Sequence, residues 1–154
     1  SQLLENLGQG SEPGRFADVT VDVGLSAVGP RLGRGAAAAD FDNDGDMDIA
    51  LGTIGGDIAL LRNSGAGGTW LSVATDVEAP GAVVTVELPD GRQLGREFVV
   101  GSSYLSSEDP RVHFGLDGAE SVTSVTIRWP DGSSETRSEV RADQLIRFAA
   151  EEAT

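Results

Sequence analysis

In the C-terminal half, apolar and polar positions alternate over short runs: residues 82–88 (AVVTVEL), 94–100 (LGREFVV), 121–129 (SVTSVTIRW) and 134–140 (SSETRSEV without its first serine). A period of two puts successive side chains on opposite faces, so these runs predict half-buried antiparallel strands rather than helices. Pro89-Asp90-Gly91 and Pro130-Asp131-Gly132 interrupt them, and proline beside an Asp-Gly pair favours a tight reverse turn. A small antiparallel β-sandwich over residues 69–149 is the simplest closure. Residues 150–154 are left as a frayed acidic tail.

Before residue 69 the texture differs. Residues 16–21 (FADVTV), 35–40 (GAAAAD), 48–52 (DIALG) and 57–62 (DIALLR) read as four short strands. Gln2-Leu3-Leu4-Glu5-Asn6, followed by Gly8-Gln9-Gly10, returns 57 residues later as Ala59-Leu60-Leu61-Arg62-Asn63, followed by Gly65-Ala66-Gly67. A repeat of this length predicts propeller blades or an array, in which each unit buries its faces on its neighbours. Residues 1–68 thus hold one full blade and, from the first copy, a terminal strand alone. The fold class expected is all-β, a partial β-propeller followed by the sandwich. An unpaired strand at residues 2–7 and an open blade edge are complementary, which predicts head-to-tail strand addition between copies and a filament.

Composition narrows the partners. The 154 residues carry 39% apolar and 5% aromatic side chains, enough for one core or two small ones. Cysteine is absent, which excludes disulfides, thiolate metal sites and a cysteine nucleophile. The net charge of -14 offers no basic patch to nucleic acid or to an anionic membrane surface and favours divalent cations instead. The apolar run at 36–39 is far below the ~20 residues a membrane span requires. Ser1 has neither an initiator Met nor a leader before it, which fits a mature chain after signal removal or a proteolytic product.

The candidate chemistry sits in residues 40–48 (DFDNDGDMD). Asp40, Asp42, Asp44 and Asp48 stand at positions 1, 3, 5 and 9 of a loop that has Gly45 at position 6, where a positive φ is expected, and Asp46 at position 7 to supply its carbonyl. Ca²⁺ takes six to eight oxygens, and alternating carboxylates on a curled loop supply them, whereas Mg²⁺ demands a stricter octahedron and keeps its waters. The loop is not an EF-hand: position 12 is Leu51, and the flanks are strand-like. Five aspartates in nine positions repel one another unless a cation sits among them.

Catalytic candidates are weaker. His113 is the single histidine and reads as a core or strand-end residue. Gly101-Ser102-Ser103-Tyr104-Leu105 lacks the last glycine of a nucleophile elbow, and Gly8-Gln9-Gly10 and Gly33-Arg34-Gly35 lack the strand-to-helix setting of a dinucleotide site. The acid pairs Glu108-Asp109 and Glu151-Glu152 read as solvated surface, and Trp70 and Trp129 as buried anchors in preference to a sugar platform. The chain is not expected to be an enzyme.

With its repeat and its aspartate loop, the first part resembles an FG-GAP or VCBS-type propeller blade, in which a calcium loop joins adjacent strands; Asp40, Asp42, Asp44, Asp46 and Asp48 match that motif. The remainder resembles the ASPIC/UnbV domain through Gly101-Ser-Ser-Tyr-Leu-Ser, Asp109-Pro-Arg-Val-His-Phe-Gly-Leu, Val125-Thr-Ile-Arg-Trp-Pro-Asp-Gly and Ala142-Asp-Gln-Leu. Together they look like the C-terminal part of a member of the cartilage acidic protein family. The resemblance implies a secreted, extracellular, calcium-binding protein of structural or adhesive role. Its expected partners are further copies of itself, with a glycan or matrix protein also possible; the alternative is a glycan- or protein-binding module of a larger secreted propeller protein.

Overall fold

The computed structural model describes residues 2–7, 14–65, 67–107 and 109–149. The glycine-bounded ends of the repeat copies at 8–10 and 66, Glu108 and the tail 150–154 lie outside the described residues.

The alternating runs form strands where the pattern predicts them: β7 (Val83–Glu87), β8 (Gln93–Glu97), β10 (Ser121–Arg128) and β11 (Ser134–Arg141) make one antiparallel sheet in the order β11-β10-β7-β8. Val84 pairs with Ile127 and Val86 with Val125, all four fully buried on one face. Gly91 and Gly132, at φ 85° and 92°, make the two predicted turns, closed by the Leu88 N–H on Arg92 O and the Trp129 N–H on Ser133 O. β8 stops at Glu97, short of the expected residue 100, and Val99 and Val100 face solvent.

A second sheet, β12-β6-β9, is built from β6 (Trp70–Thr75), β9 (Arg111–Gly115) and β12 (Gln144–Phe148). It corrects the expectation of a wholly antiparallel sandwich: β12 runs parallel to β6, from Gln144 opposite Leu71 to Phe148 opposite Thr75. Asp143 gives the reason. At φ 57° it turns the chain out of β11, its N–H bonds Trp70 O at 2.7 Å, and its Oδ1 accepts the Trp70 N–H at 3.1 Å. The beginnings of β12 and β6 are thereby pinned together, and both must run the same way. The two sheets share one core that includes Leu71, Val73, Phe114, Leu116 and Phe148.

The N-terminal part comprises β1 (Leu4–Asn6), β2 (Phe16–Asp18), β3 (Gly33–Ala39), β4 (Asp48–Thr53) and β5 (Ala59–Leu61). Strands β3, β4 and β5 form an antiparallel meander. The run at 16–21, expected as the first strand of the blade, ends at Asp18 and pairs with β1, not β3. Asp18 stops it by folding back, its Oδ1 accepting the Thr20 N–H, while Thr20 Oγ1 accepts the Leu3 N–H at 2.9 Å. The strand at residues 2–7 is therefore not unpaired, and head-to-tail donation loses the free strand on which it was based.

Every buried apolar side chain of the described residues lies between Leu71 and Phe148. Before Leu71 the buried residues are Asp40, Gly45 and Asp48. Among the described residues the β3-β4-β5 sheet buries no apolar side chain fully, and what it buries is its acidic turn. Among the described residues no helix is long and apolar enough to cross a membrane.

Candidate metal centre

The β3–β4 hairpin sets the acidic run at its turn. Ala39 pairs with Asp48, so Asp40 and Asp48 flank the neck of the loop, 2% and 1% exposed. Asp40 Oδ1 accepts the Asp44 N–H and its Oδ2 the Gly45 N–H, both at 3.1 Å. Asp48 Oδ2 accepts the Phe41 N–H at 3.2 Å, and its Oδ1 accepts the Asn63 N–H at 2.7 Å, tying the loop to the chain just past β5. These bonds orient the carboxylates while leaving each with spare acceptor capacity, since a carboxylate offers about four lone-pair sites. Gly45 takes φ 94°, as its position predicts, and Asn43 takes φ 60°, a geometry asparagine tolerates.

One oxygen from each of Asp40, Asp42 and Asp48 lies within 4.8 Å of the other two. Oxygens around one Ca²⁺ at about 2.3–2.6 Å stand no more than about 5 Å apart, so the trio fits a single hard cation. Arg62, itself 60% exposed, reaches Asp42 at 2.6 Å and Asp44 at 3.2 Å. Among the described residues no ion pair reaches the carboxylates of Asp40 or Asp48. Asp44 stands outside the trio; its Oδ1 accepts the Asp46 N–H, which with the Arg62 guanidinium lowers its pKa. The Asp46 carboxylate is also outside it.

The loop is held from the second sheet. The Trp70 indole lies against Gly45, where a Cβ would fall inside the ring, and stacks on His113 of β9 with ring centres 6.0 Å apart. Trp70 is half-buried and bridges to the loop, which corrects its assignment as a core anchor; Trp129 does join the core. Burial lowers the His113 pKa, and its Nδ1 is 3.2 Å from Ser72 Oγ. Ser72 is 3% exposed, so this hydroxyl is closed to a substrate. Arg111 of β9 donates to Asp40 O and to Asn43 Oδ1 at 2.5 and 2.6 Å. Along β3, the Ala36 N–H bonds Ser103 Oγ at 3.1 Å, and the Arg34 guanidinium lies 4.7 Å from the centre of the Tyr104 ring.

Sequence reasoning found the aspartates but missed Arg62, Trp70 and Arg111 as their neighbours. The signal for Arg111 was present: Val112 and Phe114 are buried, which puts Arg111 and His113 on the opposite face of β9.

Residues 72–154 match the family described as ASPIC and UnbV. The chain is similar to Cartilage acidic protein 1 of Mus musculus, 33% identical over 114 residues, which cover 69% of this chain and 18% of that protein. Its similarity to the Homo sapiens protein of that name is 33% over 113 residues, covering 68% and 17%, and to that of Xenopus tropicalis 32% over 114 residues, covering 69% and 18%. The chain thus spans less than a fifth of the length of these relatives. No solved structure matches it.

Proposed function

This chain belongs to the ASPIC and UnbV family, and on that premise we propose that it is an extracellular structural module in which one calcium ion, held by Asp40, Asp42 and Asp48, staples the β3–β4 hairpin. The observation that carries this reading is the convergence of two almost fully buried carboxylates with a third, the carboxylates of Asp40 and Asp48 having no ion-pair partner among the described residues. The relatives are named for cartilage and for acidity, this chain carries a net charge of -14, and extracellular calcium modules bind in the ~10⁻⁴ to 10⁻³ M range. A meander whose acidic loop joins two adjacent strands supports an FG-GAP or VCBS-type blade for the N-terminal part.

The cation would neutralise the trio and fix the loop that Trp70 and Arg111 hold; in this reading the chain performs no catalysis. The β3-β4-β5 sheet, whose apolar residues are only partly covered, is completed by stacking on another blade, of the same protein or of a neighbouring copy in an adhesive assembly. Calorimetric titration with calcium, beside thermal melting in calcium and in EDTA, tests the reading. Binding that Asp40→Asn weakens, with a lower melting temperature in EDTA, is the expected result. Absence of binding heat and melting indifferent to EDTA would overturn it. Light scattering decides the assembly: calcium-dependent particles mark stacking between copies, and monomers in both conditions refute it.

A further inference from the structure

Seventy-one positions past Asp40, Arg111 uses its whole guanidinium on two tasks. Its Nη2 donates to Asp40 O and its Nη1 to Asn43 Oδ1, at 2.5 and 2.6 Å. Its Nε bonds both Asp109 carboxylate oxygens at 2.8 and 3.1 Å, and Nη2 bonds Asp109 Oδ2 at 2.7 Å. The Arg111 side chain is 20% exposed and that of Asp109 9%, so water screens this pair poorly. The two points Arg111 grips are the backbone of a candidate ligand and the side chain of Asn43, the non-glycine residue of the loop with positive φ.

A guanidinium beside a cation site is a paradox of charge. Alone it would repel the ion that the loop collects; paired with Asp109 it is close to neutral and keeps only its geometry. Building on the cation reading above, we infer that Arg111 and Asp109 are positioning residues of the cation site, Arg111 clamping the loop and Asp109 cancelling the charge of the clamp. Residues that orient metal ligands from outside the coordination shell typically change affinity 10- to 100-fold.

The two roles separate by salt. Arg111→Ala removes the clamp and leaves the Asp109 carboxylate unpaired, so calcium affinity of the whole chain falls about tenfold at high ionic strength and by less at low, where the freed charge draws the ion. Asp109→Asn leaves an unneutralised guanidinium, so affinity falls most at low salt and recovers in part as salt screens the exposed share of that charge. The double variant removes the clamp and both charges, so its affinity falls about tenfold at either salt concentration. Asp109→Glu restores binding. Arg111→Lys, which keeps charge and stem but cannot fork, covers the case in which the alanine variant fails to fold; it also binds weakly. Calorimetric titration at two salt concentrations reads all five. If the unaltered chain binds calcium and Arg111→Ala and Asp109→Asn bind it equally well at both salt concentrations, the inference is overturned alone. If the unaltered chain binds none, the cation reading falls and takes this one with it.

Discussion

Gly45→Ala tests how the loop is joined to the second sheet, because it changes one methyl group at the point of contact. At φ 94° the backbone of Gly45 lies where an L-residue is disfavoured, and alanine there costs about 1–2 kcal/mol. The added Cβ would fall inside the Trp70 indole, so ring or loop must retreat. Re-exposing about 100 Å² of ring and loop at roughly 25 cal/mol per Å² costs about 2.5 kcal/mol. The total, about 4 kcal/mol, is a large share of the 5–15 kcal/mol that stabilises a typical domain. It falls on a part of the chain with no fully buried apolar side chain among the described residues, whereas the core between Leu71 and Phe148 is untouched. The expected result is a red-shifted Trp70 emission, isolated by difference from Trp70→Phe, with early loss of hydrogen-exchange protection in β3 and β4 and retained protection in β10. Unmoved Trp70 emission together with unchanged protection of β3 and β4 would refute the reasoning.

Asp48→Ala strands the N–H groups of Phe41 and Asn63, at about 1–3 kcal/mol for each that stays buried, and should lower the urea midpoint even in EDTA; Asp48→Asn, which keeps an acceptor, should lower it less. A Cβ at Gly35 would overlap the Tyr104 carbonyl oxygen and crowd Ser106 Oγ at 2.7 Å, so Gly35→Ala should lift residues 101–106 off β3 and speed their cleavage in limited proteolysis. Burial lowers the His113 pKa from its ordinary value of about 6.5, so the unfolded chain takes up a proton that the fold does not. Its contribution to stability is complete above about pH 6.5 and is lost as pH falls from there toward the depressed value. Urea midpoints in EDTA at pH 7.5 and 5.5 should show this, with a smaller difference in His113→Gln.

The legible strands were those with one wet face. In β7, buried Val84 and Val86 alternate with half-buried Val83, Thr85 and Glu87, and the period is plain. In β6 four consecutive residues, Leu71 to Ala74, are buried, because the strand is central in its sheet and covered on both faces; alternation had nothing to show. The parallel course of β12 depends on Asp143 meeting Trp70, a contact no local pattern contains. At the site, the spacing of the aspartates follows from the turn itself, and Gly45 was readable as the residue of positive φ. Arg111, Trp70 and Arg62 reach the loop only through tertiary structure. The repeat misled in one respect: strand-like residues at 16–21 pair with the preceding strand, where Asp18 ends them, instead of opening the blade.

That every buried apolar side chain of the described residues follows residue 70 also sets an order in time. Within these 154 residues the acidic hairpin finds Trp70, the loop at 101–106 and Arg111 on sequence that follows it. In the isolated chain the acidic segment should therefore fold last, onto a finished sandwich. An isolated chain of residues 1–68 should be cut readily by protease, and one of all 154 residues should on refolding gain protection in β10 before β3; resistance of the shorter chain would reverse that order. Such a delay keeps five aspartates in water until their scaffold exists, and makes the C-terminal sandwich a template for what precedes it.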